Sequence, residues 1–142
     1  MKRNVSVLAG IFLAFLYVID AFGQDISVTI DQITANNQIS GYVSGLTIDE
    51  YPNYKILVYV HTDQWYIHPY AGQDEGLSWA TIGKNGVWSI QTVQREFKAD
   101  KIAALVVSRE YPEPSRLIYI EKIPHVALIV KQLKDTPDFG KL

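Results

Sequence analysis

The sequence predicts an all-β domain, and three observations carry that prediction. "DISVTIDQI" alternates Ile26, Val28 and Ile30 with Ser27, Thr29 and Asp31, the period of a half-buried strand. "YKILVYVHT" and "KIAALVVS" are short apolar runs without alternation, as expected of strands covered on both faces. Turn chemistry recurs every ~10–15 residues, in "TANNQ", "YPN", "AGQDEG", "KNG" and "YPEPS", leaving little room for a long helix. About 7–8 strands at that spacing point to an immunoglobulin-like two-sheet antiparallel β-sandwich, with a small barrel as the alternative.

The first residues stand apart from this pattern. Lys2 and Arg3 precede an uncharged apolar run from Val5 to Ile19, followed by the small residues Ala21 and Gly23. The run is short of the ~20 residues that span a bilayer, and its flanks suit a cleaved signal peptide over residues 1–23. Residues 24–142 then form a single domain, secreted or periplasmic, with no membrane association once the signal is removed. Loss of Lys2, Arg3 and Asp20 takes the net charge from -2 to -3.

Within the domain, "QISGYVSG" is the second strand, where Gly41 marks a bulge or a close backbone approach. "LTIDEYPN" is a loop cornered at Pro52 and Asn53. "YKILVYVHT" is the central strand, and "QWYIHPY" follows it as an edge or a bend because Pro69 cannot donate to a ladder. "LSWATIG" and "VWSIQT" flank Asn85-Gly86, read as a hairpin whose two central residues take positive φ. "REFKAD" is a helical turn or a loop. "RLIYIEK" is a strand, "VALIVKQL" a strand or short helix, and "KDTPDFGKL" a frayed tail.

Composition excludes several function classes. With no cysteine, the chain has no disulfide, thiolate metal site or cysteine nucleophile. A mildly acidic chain without a basic run offers nothing to neutralise phosphates, so nucleic acid is not a partner. Ser44 in "GYVSG" is one residue out of register for a nucleophile elbow. His61, His68 and His125 lack the spacing of a zinc site, and no metal or other cofactor is expected. Asp49-Glu50 and Asp74-Glu75 read as solvated turns, lacking both a glycosidase cleft and a dedicated calcium loop. The chain is not read as an enzyme.

What remains is a cluster of rings. Residues 24–142 keep eight Tyr and three Trp but only two Phe, so rings with a polar tip dominate. Such rings suit half-exposed sites and binding faces. On an extended "DQWYIHPY", Trp65 and Ile67 point one way and Tyr66 and His68 the other. Trp65 and Ile67 are expected inside with Tyr59 and Trp88. Tyr66, His68, Tyr70 and Trp79 are expected to form an outward patch, since phenol and indole faces stack on sugar rings.

The order "SGYVSG…YKILVYVHTDQWYIHP…IGKNGVWSI…KIAALVVS" resembles a sandwich module of exported bacterial proteins found beside polysaccharide-acting enzymes. The likeness runs through Val43 and Gly45, Lys55 to Pro69, Ile82, Gly86 and Trp88, and Ile102 to Val107. It covers about half the domain and implies the sandwich fold; the segment after Tyr111 lies outside it. The expectation is therefore a non-catalytic binding module for a glycan or another cell-surface ligand, such as a protein. The alternative is a structural or protein-interaction sandwich that pairs through edge strands and keeps its rings in the core.

Overall fold

A computed structural model describes residues 25–34, 38–72, 74–93 and 99–133. The expected signal peptide, most of "REFKAD" and the tail "KDTPDFGKL" lie outside the described residues. The chain forms a β-sandwich of two antiparallel sheets, with no α-helix among the described residues.

The smaller sheet is built on β3 (Gln38–Ser44). One edge of β3 pairs with β1 (Ser27–Val28) and then β2 (Gln32–Thr34); the other pairs with β6 (Val87–Gln91). Because β1 and β2 share one edge, the nine strand segments occupy eight strand positions. Val28 faces Val43 and Gln32 faces Ser40, so three residues of one strand oppose two of the other, which is a bulge. The bulge breaks the alternation: Val28 and Ile30 are buried, and the next inward residue is Ile33. It also explains Gly41. A Cβ there would stand 1.8 Å from the Thr29 carbonyl oxygen and 2.9 Å from the Trp88 ring, so only glycine fits.

The larger sheet centres on β4 (Tyr54–His61) and β7 (Lys101–Ser108), paired from Tyr54↔Ser108 to His61↔Lys101. β5 (Trp65–Ile67) and the two-residue β8 (Arg116–Leu117) lie beyond β4, and β9 (Ala127–Gln132) lies beyond β7. "VALIVKQL" is thus a strand.

β4 and β7 are apolar over Ile56–Val60 and Ile102–Val107 because both their faces are covered there. Ile56, Val58, Ile102, Ala104 and Val106 meet Ile39, Val43, Trp88 and Ile90 of the smaller sheet. Leu57, Tyr59, Leu105 and Val107 face the opposite way, onto Trp65, Ile67, Ile120 and Ile123. Each such side chain taken out of water is worth ~1.5–3 kcal/mol.

The second cover is a loop layer. Tyr111, Ile120 and Ile123, on either side of β8, lie over the outer face of the larger sheet, and the Tyr59 hydroxyl donates to the Pro114 carbonyl at 2.7 Å. "RLIYIEK" is a strand only at Arg116–Leu117 and becomes a 3-10 turn at Ile120–Lys122. That turn lets Ile120 and Ile123, three apart, drop onto the same apolar face, while Ile118 and Tyr119 stay exposed.

The Asn85-Gly86 expectation also needs correction. The Gly86 N–H bonds the Gly83 carbonyl, so Lys84 and Asn85 are the central residues and Gly86 follows them at φ +81. The arm before this turn is not a ladder strand: Ala80 bridges Ile56 of the other sheet instead.

Candidate functional site

Register decides where the ring cluster goes. Trp65 stands opposite His61 and Ile67 opposite Tyr59, so both point into the outer core, as alternation predicts. Tyr66 stands between Val60 and Arg116 on the face turned toward the smaller sheet. At this margin the face forms one wall of a cleft of about 780 Å³. Tyr66, Pro69 and Tyr70 supply its ring and apolar surfaces; Thr62, Asp63, Ser115 and Arg116 supply its polar ones.

The expected patch is therefore divided. Tyr66 is half-buried and Tyr70 is 42% exposed, and both line the cleft. Tyr70 is anchored through its backbone: its N–H donates to Leu77, and its carbonyl accepts from the Ser78 hydroxyl.

His68 does not face water as expected; it is 1% exposed. Its side chain points the same way as Tyr66, but one step further the segment after β6 closes over it. There Nε2 is hydrogen-bonded to the Thr92 hydroxyl, and its backbone N–H donates to Val58. His68 contributes to the cleft as part of its floor.

Trp79 is not part of this site. Ala80 packs in the inter-sheet core, so its neighbour Trp79 faces the outer cluster. The Arg109 guanidinium sits 4.3 Å from the ring centroid and the Lys55 ammonium 5.8 Å. Lys55 is itself buried and paired with Glu113 at 2.7 Å. The indole is thus a packing partner of two cations, of which Lys55 holds the loop layer through Glu113.

The cleft has one fixed charge arrangement. Hydrogen bonds from the Thr62 hydroxyl, and next from the Tyr66 hydroxyl, hold the Asp63 carboxyl below its ordinary range. The Thr62 hydroxyl donates to Asp63 Oδ1 at 3.0 Å, and Asp63 stays an acceptor at neutral pH. Arg116, opposite Tyr66 on β8, brings donors to the same wall.

His61 does not share a site with Asp63. β4 ends at His61, and its Nδ1 bonds Asp100 Oδ1 at 2.7 Å, with the Trp65 ring edge-on at 5.0 Å. Among the described residues, no group of three His, Asp or Glu is arranged to hold a metal ion.

Arg116 and Ser115 were invisible to sequence reasoning, because only the β5–β8 pairing brings them beside Tyr66. Asp63 had a signal: it lies three residues before Tyr66, at the end of the central strand.

No protein-family model, curated protein or solved structure matches this chain.

Proposed function

We propose that the chain is an exported, non-catalytic binding module whose cleft beside β5 takes a saccharide of a cell-surface or extracellular glycan. One observation carries the reading: Tyr66 and Tyr70 line the same cleft as an ionised carboxyl, two hydroxyls and a guanidinium. Rings stack on the C–H faces of a sugar while the polar groups take its hydroxyls. At about 780 Å³ the cleft falls within the ~300–1,000 Å³ of small-molecule sites. The short basic start and apolar run support export, and the absence of hydrolase motifs supports a binding role.

The test is a glycan array probed with the mature domain and with Tyr66→Ala and Tyr70→Ala. Selective binding that either variant weakens about tenfold or more, the loss of roughly 1.4 kcal/mol, supports the reading. Binding that both variants retain in full removes the cleft from it. An intact mass retaining Met1 in the exported protein would remove the cleaved signal.

A second reading has its own support. Trp65, Trp88 and Tyr59 are buried, which is the expectation for a sandwich that keeps its rings in the core and pairs through an edge. β9 is the outermost strand on its side of the larger sheet and would be that edge.

A further inference from the structure

Among the described residues that line the cleft, Arg116 is the only cationic side chain and Asp63 the only carboxylate. The Arg116 guanidinium enters no ion pair and no side-chain hydrogen bond among the described residues. Two carboxylates are placed where they could have answered it. Glu113, three residues earlier, is turned to the outer face of the sheet, where it holds Lys55 at 2.7 Å beside Trp79. Asp63 sits on the turn that leads into β5 and accepts from the Thr62 hydroxyl at 3.0 Å. The third charged or chargeable group on the wall, His68, is buried on Thr92.

The strand that carries Arg116 is fixed against the ring. Arg116 stands opposite Tyr66 in the β5–β8 ladder, and the adjoining Ser115 carbonyl accepts the Ile67 N–H at 3.0 Å. Residues directly opposite on antiparallel strands project to the same face. The guanidinium therefore rises from the same wall as the Tyr66 ring, with β5 between it and the turn that bears Asp63.

Resting on the glycan reading of this cleft, we infer that its ligand is an acidic sugar whose carboxylate or sulfate ester is taken by Arg116. A guanidinium presents paired N–H donors in one plane, matched to two oxygens of a single anionic group. Such charge-assisted bonds are roughly twice as strong as neutral ones. The sugar ring then lies on Tyr66, and its hydroxyls reach Thr62 and Asp63. Asp63 accepts hydroxyl protons and repels an acid group, so the sugar enters in one orientation. The chain has a net charge of -2, so its attraction for a polyanion is local to the cleft and not spread over the surface.

The test is affinity electrophoresis of the protein in gels carrying a dissolved polysaccharide. Polygalacturonate and alginate offer the carboxylate, and dextran sulfate offers the sulfate. Carboxyl-reduced polygalacturonate and dextran are the neutral counterparts. Expected is retardation by at least one acidic polymer and not by its neutral counterpart, weakened about tenfold or more between about 0.05 and about 0.5 M salt. Which acidic polymer retards the protein identifies the anionic group. Arg116→Gln should weaken binding about tenfold or more, and Arg116→Lys by less, since lysine keeps the charge and loses the fork. Lys84→Gln removes an exposed cation outside the cleft and should change nothing. Equal urea midpoints for the three variants exclude unfolding as the cause. Neutral and acidic polymers bound alike, with Arg116→Gln silent and Tyr66→Ala weakened, overturn the inference and leave the glycan cleft standing. Equal losses in Arg116→Gln and Lys84→Gln overturn it as well, because the attraction is then diffuse. Retardation by no acidic polymer also overturns it. Only a glycan array on which no sugar, acidic or neutral, is bound removes the cleft reading beneath it.

Discussion

The two faces of the larger sheet are buried by different means. The inner face of β4 and β7 packs Ile, Val and Ala against a second hydrogen-bonded sheet. The outer face is larger-grained, with Tyr59, Trp65 and Leu105 under a loop that contributes few backbone bonds. A sheet holds its partner face by geometry alone. The loop must be pinned, and the pins are polar: Tyr59 to the Pro114 carbonyl, and Lys55 to Glu113 beside Trp79. Of the rings with polar tips, Tyr59 fastens the loop through its hydroxyl, and Trp79 packs on the paired Lys55. Of the expected patch, only Tyr66 and Tyr70 line the cleft.

The largest effects should come from emptying either core. Trp88→Ala on the inner side and Tyr59→Ala on the outer are each expected to cost ~3–5 kcal/mol in urea melts. Tyr59→Phe separates the two faces: it keeps the packing and removes only the pin, so ~1 kcal/mol should be lost. The loop layer should then become protease-sensitive ahead of the sheets. If Tyr59→Phe is silent in both measurements, packing alone fastens the loop, and the contrast between the faces fails.

The buried ion pair comes next. Glu113→Gln leaves Lys55 charged at 5% exposure, and removing one partner of such a pair typically costs ~3–5 kcal/mol. Glu113 retains 16% exposure, so water relieves part of this and roughly 2–3 kcal/mol is expected. Lys55→Met with Glu113→Gln should recover most of that loss, because the pair contributes position more than net stability. A double variant as unstable as the single would mean that the Lys55 stem and its contact with Trp79 carry the energy.

Tyr66→Ala sharpens the comparison from the other side. Tyr66 is half-buried at the margin where neither cover reaches, so ~1 kcal/mol or less is expected. A loss matching that of Trp88→Ala would place Tyr66 in the core and close the cleft reading.

How legible this was in the sequence differs between the two faces as well. β4 and β7 were readable because strands covered on both sides lack alternation. Trp65 and Ile67 against Tyr66 followed from the period of two. The outer cover was not readable, because no local pattern in "YPEPSRLIYIEK" says that it lies across a sheet. Its Ile120 and Ile123 have a spacing that also suits a strand with one slip. Trp79 was misplaced for a related reason: its partners Lys55 and Arg109 are distant in sequence. His68 was misplaced because alternation gives a direction and not what lies at the end of it. The cover, Thr92, comes from the segment just after β6.

The smallest expected effect compares the polar margins of the two faces by pH. Asp100, at the outer margin, is pushed up by desolvation, but the hydrogen bond and charge of His61 outweigh this and leave its carboxyl below the ordinary 3.8. Asp63, at the inner margin, is lowered by the hydroxyls of Thr62 and then Tyr66. A carboxyl depressed in the folded state adds stability that is present above its unfolded pKa and lost as pH falls through its folded one. Any contribution from these two should therefore hold above about pH 4 and disappear in the acid range below it. Both are exposed, so the Asp100 pair is worth at most a few tenths of a kcal/mol and less in salt. Carboxyl chemical shifts followed by NMR resolve what melts cannot. His61→Ala should raise the Asp100 pKa, since desolvation then acts against fewer opposing contacts, and should leave Asp63 where it is. Tyr66→Phe should raise Asp63 and leave Asp100. If Tyr66→Phe moves neither carboxyl, the Tyr66 hydroxyl does not bond Asp63 in solution. Thr62 alone then holds the Asp63 carboxylate, and the Tyr66 hydroxyl is left for a ligand in the cleft.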